Sequence, residues 1–131
     1  MSEIALRRRP VRPRYLNLLQ LRFPVGAICS FGHRISGALL AAFTVTLVFL
    51  LRRSLESPST YEWTARVMGS VPGKATAAIF FWAFAHHVLA GMRHLLMDID
   101  IGSSLPTARR SAHWVNLLGA VVALLALGAM W

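Results

Sequence analysis

The chain has 131 residues, 56% of them hydrophobic, which is too apolar for an ordinary soluble domain and too short for several domains. Lys and Arg number 14 against 5 Asp and Glu, but a nucleic-acid binder would gather that charge on one folded face with interleaved aromatics. Here Arg7, Arg8, Arg9, Arg12, Arg14 and Arg22 crowd the amino end and most of the other basic residues flank apolar runs, which excludes nucleic acid and points to a lipid bilayer. The single cysteine, Cys29, has no companion for a disulfide or a zinc site and reads as a small buried residue.

Residues 1–23 form a basic segment, and residues 24–131 read as an all-α membrane anchor with three crossings. A hydrocarbon core of about 30 Å needs roughly 20 apolar residues as helix. The first candidate is "ISGALLAAFTVTLVFLL", Ile35 to Leu51, extended back to Pro24, a residue type that suits a first helical turn. This predicts a helix over about residues 24–53. The stretch from Arg53 to Lys74 carries "SPST" and "SVPG" and reads as a linker with one short helix around Tyr61 to Met68. The second crossing, "ATAAIFFWAFAHHVLAGM", runs from Ala75 to Met92 inside a helix over 72–98. The third runs from Trp114 to Trp131 inside a helix over 112–131. A signal peptide is not expected, because the first apolar run starts well inside the chain and is followed by Arg52 and Arg53.

Loop charge sets the orientation. With the amino end in the cytoplasm, the inside holds Arg7, Arg8, Arg9, Arg12, Arg14, Arg22, Arg34, Arg93, Arg109 and Arg110. The outside holds only Arg52, Arg53, Arg66 and Lys74, so the carboxyl end is expected outside.

Two polar stripes stand out against this background. At about 100° per residue, His87, Gly91, His94 and Asp98 share one narrow stripe of the second helix, while His86 and Arg93 point elsewhere. Ser30, His33, Arg34 and Gly37 lie within roughly 100° on the first helix, near the same membrane face. His94 and Asp98 fall at or beyond the interface, where polar residues are ordinary. His87 lies roughly 9 Å deeper than Arg93, and an ionisable group inside the membrane is costly enough to suggest a ligand role. The bland alternative is a histidine hydrogen-bonded to a neighbouring helix, with Gly91 serving close packing rather than room for a flat macrocycle. His87 and His94 are about 10 Å apart along the axis, too far to share one zinc or one haem iron. His33 lies near the cytoplasmic edge and His113 precedes the third crossing. A haem on His87 would therefore be five-coordinate or would take its second ligand from a partner.

"RFPVGAICSFGHRISG", residues 22 to 37, and "HHVLAGMRHLLMD", residues 86 to 98, resemble the two signature segments of the cytochrome b subunit that anchors bacterial succinate dehydrogenase. Ser30, His33, Arg34, Ser36 and Gly37 meet the first pattern; His87, Gly91, Arg93, His94 and Asp98 meet the second. The resemblance covers nearly the whole chain from Arg9 to Trp131. It implies half of a heterodimeric helical bundle that holds one haem b between His87, as the iron ligand, and a histidine of a second small membrane subunit. It puts His33, Arg34 and His94 in the surroundings of the haem, and Ser30 and Arg34 in a ubiquinone pocket, with Asp98 near the proton supply. It also implies an iron-sulfur subunit and a flavoprotein as partners, and the bacterial inner membrane as location. His86 beside His87 remains an alternative ligand, although only His87 keeps the register with Gly91 and His94. A haem-free structural anchor of a related quinone oxidoreductase is the alternative function.

The charge count makes the topology testable. A reporter fused after Trp131 should be active on the periplasmic side, and one inserted between Ile99 and Arg109 should be active in the cytoplasm. The reverse pattern would put the Ser30 and Arg34 end on the wrong face.

Overall fold

The computed structural model describes residues 23–131, so nearly all of the basic amino-terminal segment lies outside the described residues. Four helices follow in chain order: α1, Val25–Glu56; α2, Pro58–Gly69; α3, Val71–Asp98; and α4, Leu105–Met130. No strand occurs among the described residues. The most apolar 18-residue stretches of the three long helices have mean hydropathies of 2.0, 1.4 and 1.8, and each helix is apolar enough to cross a membrane. The short α2 is not among them.

Local chemistry sets each boundary. Pro24 caps α1 with an extended backbone, and its carbonyl accepts from the Ala27 and Ile28 amides. With 32 residues, α1 is about 48 Å long and exceeds the thickness of the hydrocarbon core, so it tilts or projects. It stops where Pro58 forces Ser57 into extended geometry. Ser57 then starts α2 through a reciprocal capping box with Thr60. Ser70 caps α3 by accepting from the Gly73 amide, and Gly73 must lack a side chain there, because a Cβ would run into the Val67 and Met68 carbonyls.

The expected linker helix is thus longer than the Tyr61 to Met68 reading, and α1 and α2 are separated by Ser57 alone. The largest difference lies at α4, which starts at Leu105 rather than near residue 112. Its first two turns carry Thr107, Arg109 and Arg110, so hydropathy marks where the membrane begins and not where the helix does. Pro106 in the first turn and Ser104 at the cap mark the true start. Between α3 and α4 the chain reverses in a Schellman turn. The Ile101 amide bonds the Leu96 carbonyl, and the Asp100 amide bonds the Met97 carbonyl. Asp100 takes the left-handed conformation at φ 61°, which Asp tolerates better than most residues.

Packing is by small residues, with α3 between α1 and α4. The buried set is Cys29 and Ser36 on α1, Ala78, Ala83, His86 and Ala90 on α3, and Ala112, Val115 and Gly119 on α4. Leu, Phe, Ile and Trp side chains such as Phe31, Leu51, Phe84, Leu95 and Leu125 point outward. This is the pattern of helices that associate by close backbone approach in lipid rather than by hiding large apolar groups from water. Polar contacts pin both ends of the antiparallel pair α3 and α4. At one end Lys74 lies over the Trp131 ring at 4.8 Å. At the other, Arg93 of α3 donates from Nε to Ser111 Oγ at 2.9 Å and from Nη2 to the Ala108 carbonyl at 3.0 Å.

The Arg93 staple should be measurable. Hydrogen bonds to a charged group contribute about 1.5 to 3 kcal/mol, so Arg93→Leu is expected to lower the melting temperature of the purified assembly in detergent, and Ser111→Ala to lower it less. An unchanged melting curve for Arg93→Leu would mean that the two bonds contribute nothing net.

Candidate functional site

The histidines gather where α3 crosses α1. His87 turns its ring onto α1, with Nδ1 3.1 Å from the His33 carbonyl oxygen and 3.3 Å from Ser36 Oγ. Ser36 is fully buried, and its hydroxyl donates to the same carbonyl at 2.9 Å. An imidazole nitrogen facing a carbonyl must carry the proton, so Nδ1 is the donor. Nε2 is then bare and is the nitrogen able to ligate.

Space for this ring comes from Gly37. A Cβ there would lie 2.9 Å from His87 Cε1, inside contact distance. Gly91, which the sequence stripe associated with His87, instead faces His33, whose Nε2 would be 3.4 Å from an added Cβ. His33 also stacks on His87, with ring centroids 4.2 Å apart and planes 13° from parallel. His94 meets His33 edge-on at 5.0 Å. His33 therefore lies at the depth of His87 rather than only at the helix edge. The reason is geometric: the two helices run side by side, so equal depth does not need equal distance from a chain end. His33, His87 and His94 form one cluster, but no group of three or more His, Cys, Asp or Glu among the described residues converges on a metal ion. The cluster suits single-nitrogen ligation by His87, supported by neighbours.

His86 is turned away from this cluster. It is buried among α1, α3 and α4, with Nε2 3.0 Å from Asn116 Oδ1. Ser30 and Arg34 also part from His33 and Gly37. They line a cavity of 530 Å³ with Phe23, Ala27, Ile28 and Phe31 on the outer side of α1. The sequence stripe on the first helix is thus two sites, because an arc of roughly 100° is wide enough to address two neighbours. Asp98 is exposed at the end of α3 and makes no side-chain hydrogen bond among the described residues. The acidic groups that form ion pairs, Glu56 with Arg52 and Arg53 and Glu62 with Arg66, lie on the last turn of α1 and on α2, at the far end of α1 from His33.

Four residues of the site were not singled out from sequence for the contacts they make: Gly32, Ser36, Gly119 and Asn116. Ser36 and Gly37 had a signal, as the end of the first motif. Asn116 had a weaker one, as a lone amide in an apolar run.

Three helices long and apolar enough to cross a membrane, packed through small residues around a buried histidine, define a membrane-embedded helical subunit. The chain belongs to the succinate dehydrogenase/fumarate reductase transmembrane subunit family, whose model matches residues 8–127. It is 35% identical over 121 residues to a succinate dehydrogenase cytochrome b556 subunit of Coxiella burnetii, covering 92% of this chain and 97% of that one. A succinate dehydrogenase cytochrome b556 subunit of Paracoccus denitrificans is 31% identical over 127 residues, covering 97% of this chain and 95% of its own.

If Gly37 is what admits the His87 ring, Gly37→Ala should displace it from the His33 carbonyl. Side-chain ¹⁵N spectra of histidine-labelled protein should then lose the Nδ1-protonated pattern for His87. An unchanged His87 resonance would show that the ring finds room without the glycine.

Proposed function

We propose that this chain is the membrane anchor of a succinate:ubiquinone oxidoreductase, holding one haem b on His87 together with a partner subunit and lining the ubiquinone-reduction site with Ser30 and Arg34. One observation carries the ligand assignment. His87 has its Nδ1 committed to a carbonyl and its Nε2 bare, the arrangement in which a ligating imidazole is fixed in tautomer and rotation by a backbone acceptor. The cytochrome b naming of both relatives supports a haem b in the complex. When bound, the haem supplies a one-electron store within the membrane.

This chain's own residues do the rest. Ser36 and the His33 carbonyl hold the His87 ring, and Gly37 admits it. His33, stacked on the His87 ring, and His94 against it would be polar neighbours of a bound haem, and the Arg34 guanidinium would suit its propionate carboxylates. Among the described residues His87 presents a bare ring nitrogen with its other nitrogen held, and the opposite ligand would come from a second small membrane subunit. Succinate oxidation belongs to a flavoprotein, and an iron-sulfur subunit carries its electrons to the cytoplasmic face of the bacterial inner membrane.

The cavity beside Ser30 and Arg34 has a volume in the range of small-molecule sites, with aromatic and aliphatic walls and two polar groups. Apolar walls suit a quinone ring and its tail. The Ser30 hydroxyl donates to a quinone carbonyl oxygen, and Arg34 stabilises the negative charge that grows on the ring oxygens as electrons arrive. Two electrons and two protons complete the quinol. Asp98, exposed at the end of α3, is the carboxylate we assign to the proton path toward that site.

The test uses one membrane preparation of the whole complex. His87→Leu should abolish the low-spin bis-histidine spectrum. Ser30→Ala removes a neutral hydrogen bond of about 0.5 to 1.5 kcal/mol, so ubiquinone reduction should fall roughly two- to tenfold. Arg34→Leu should fall further, while succinate oxidation by a soluble artificial acceptor survives in both. Equal losses with both acceptors would reduce Ser30 and Arg34 to assembly residues. A complex with no Soret band at all would leave the haem-free anchor.

A further inference from the structure

His86, set aside by the ligand reading, is one of two buried polar side chains among the described residues and is only 2% exposed. Its ring fills a slot between glycines of two other helices. A Cβ at Gly32 of α1 would lie 2.7 Å from His86 Cε1, and a Cβ at Gly119 of α4 would lie 3.3 Å from the His86 Cβ. Nε2 spans to α4 at 3.0 Å from Asn116 Oδ1, and Trp82 leans on the ring with centroids 5.4 Å apart. Nδ1 is buried with no partner.

A residue needed only for volume would do better as an apolar side chain, since a buried nitrogen without a partner is destabilising. What the polar bond adds is direction, because an interhelical hydrogen bond in lipid fixes how one helix is rotated against another. His86 and His87 are consecutive and so project about 100° apart. Gly32 and Gly37, which receive them, are five positions apart on α1 and so face well-separated flanks. The two imidazoles straddle α1, His86 on the flank shared with α4 and His87 on the other. Rotating α3 to relieve one ring drives the other into the α1 backbone.

We propose that His86 with Asn116 is a positioning pair, which sets the rotation of α3 and so keeps His87 Nδ1 on the His33 carbonyl. This rests on the reading that His87 ligates the haem. His86 itself is not a ligand, because its Nε2 is already committed to Asn116 and its ring is enclosed by two glycine backbones.

The experiment uses the whole complex in membranes, carrying His86→Leu, Asn116→Leu, the double variant, His86→Gln, or His87→Leu as the reference. The readouts are the low-spin ferric electron paramagnetic resonance signal, the haem midpoint potential and haem per assembled complex. Both single leucine variants should retain haem but shift the signal and the potential in the same direction. The double variant should show no more than the larger single shift, and His86→Gln, which keeps a donor for Asn116, should restore the native values. Unchanged signal and potential in Asn116→Leu would overturn the pair, and this arm stands even where His86→Leu fails to assemble. Loss of the low-spin signal in His86→Leu with none in Asn116→Leu would make His86 a ligand and also overturn it. A native spectrum in His87→Leu would instead remove the ligand reading on which the pair depends.

Discussion

The hydrogen bond from His87 Nδ1 to the His33 carbonyl is the constraint on which the site's geometry depends. It adds a further donor to a helical carbonyl that already serves the helix's own ladder and takes the Ser36 hydroxyl. It also asks two helix backbones to come closer than most side chains permit. Gly37 answers the second demand, and small residues along the same contact extend it: Ser36 and Cys29 on α1, Ala83 and Ala90 on α3. Close approach in turn leaves both faces of α1 available to α3, so consecutive histidines can serve different neighbours.

That economy separates functions along a single helix. One flank of α1 receives His86, another receives His87, and nearer its amino end Ser30 and Arg34 line an open cavity. α1 therefore meets different surroundings along one continuous helix, and their spacing is fixed by helix geometry rather than by a loop.

Much of this was legible in the sequence, for identifiable reasons. Crossing segments announce themselves through length and hydropathy, and the two polar stripes follow from helical periodicity. Periodicity also turned His86 and Arg93 away from His87, as the structure does. What periodicity lacks is the neighbour. It gave Gly91 to His87, whereas Gly37 on another helix supplies the room. It joined Ser30 to His33, which address different surroundings. It judged His33 by its distance from the chain end, which says nothing of its level against α3. The start of α4 was missed because polar residues in the first turns of a membrane helix carry helical hydrogen bonds but no hydropathy signal.

The inverted distribution of side-chain size has a consequence for how such a chain can diverge. Inward positions such as Ala83, Ala90, Ala112 and Gly119 are buried between helices, so even one added methylene meets resistance. Outward positions such as Leu51, Val48 and Leu125 touch a fluid of hydrocarbon, where Leu, Ile, Val and Phe are nearly interchangeable. The large outward residues are therefore expected to tolerate exchange more readily than the small inward ones, the opposite of a water-soluble globule. The spacing between the helices is thus set by the small inward residues, and exchanging the large outward ones for one another leaves it as it is.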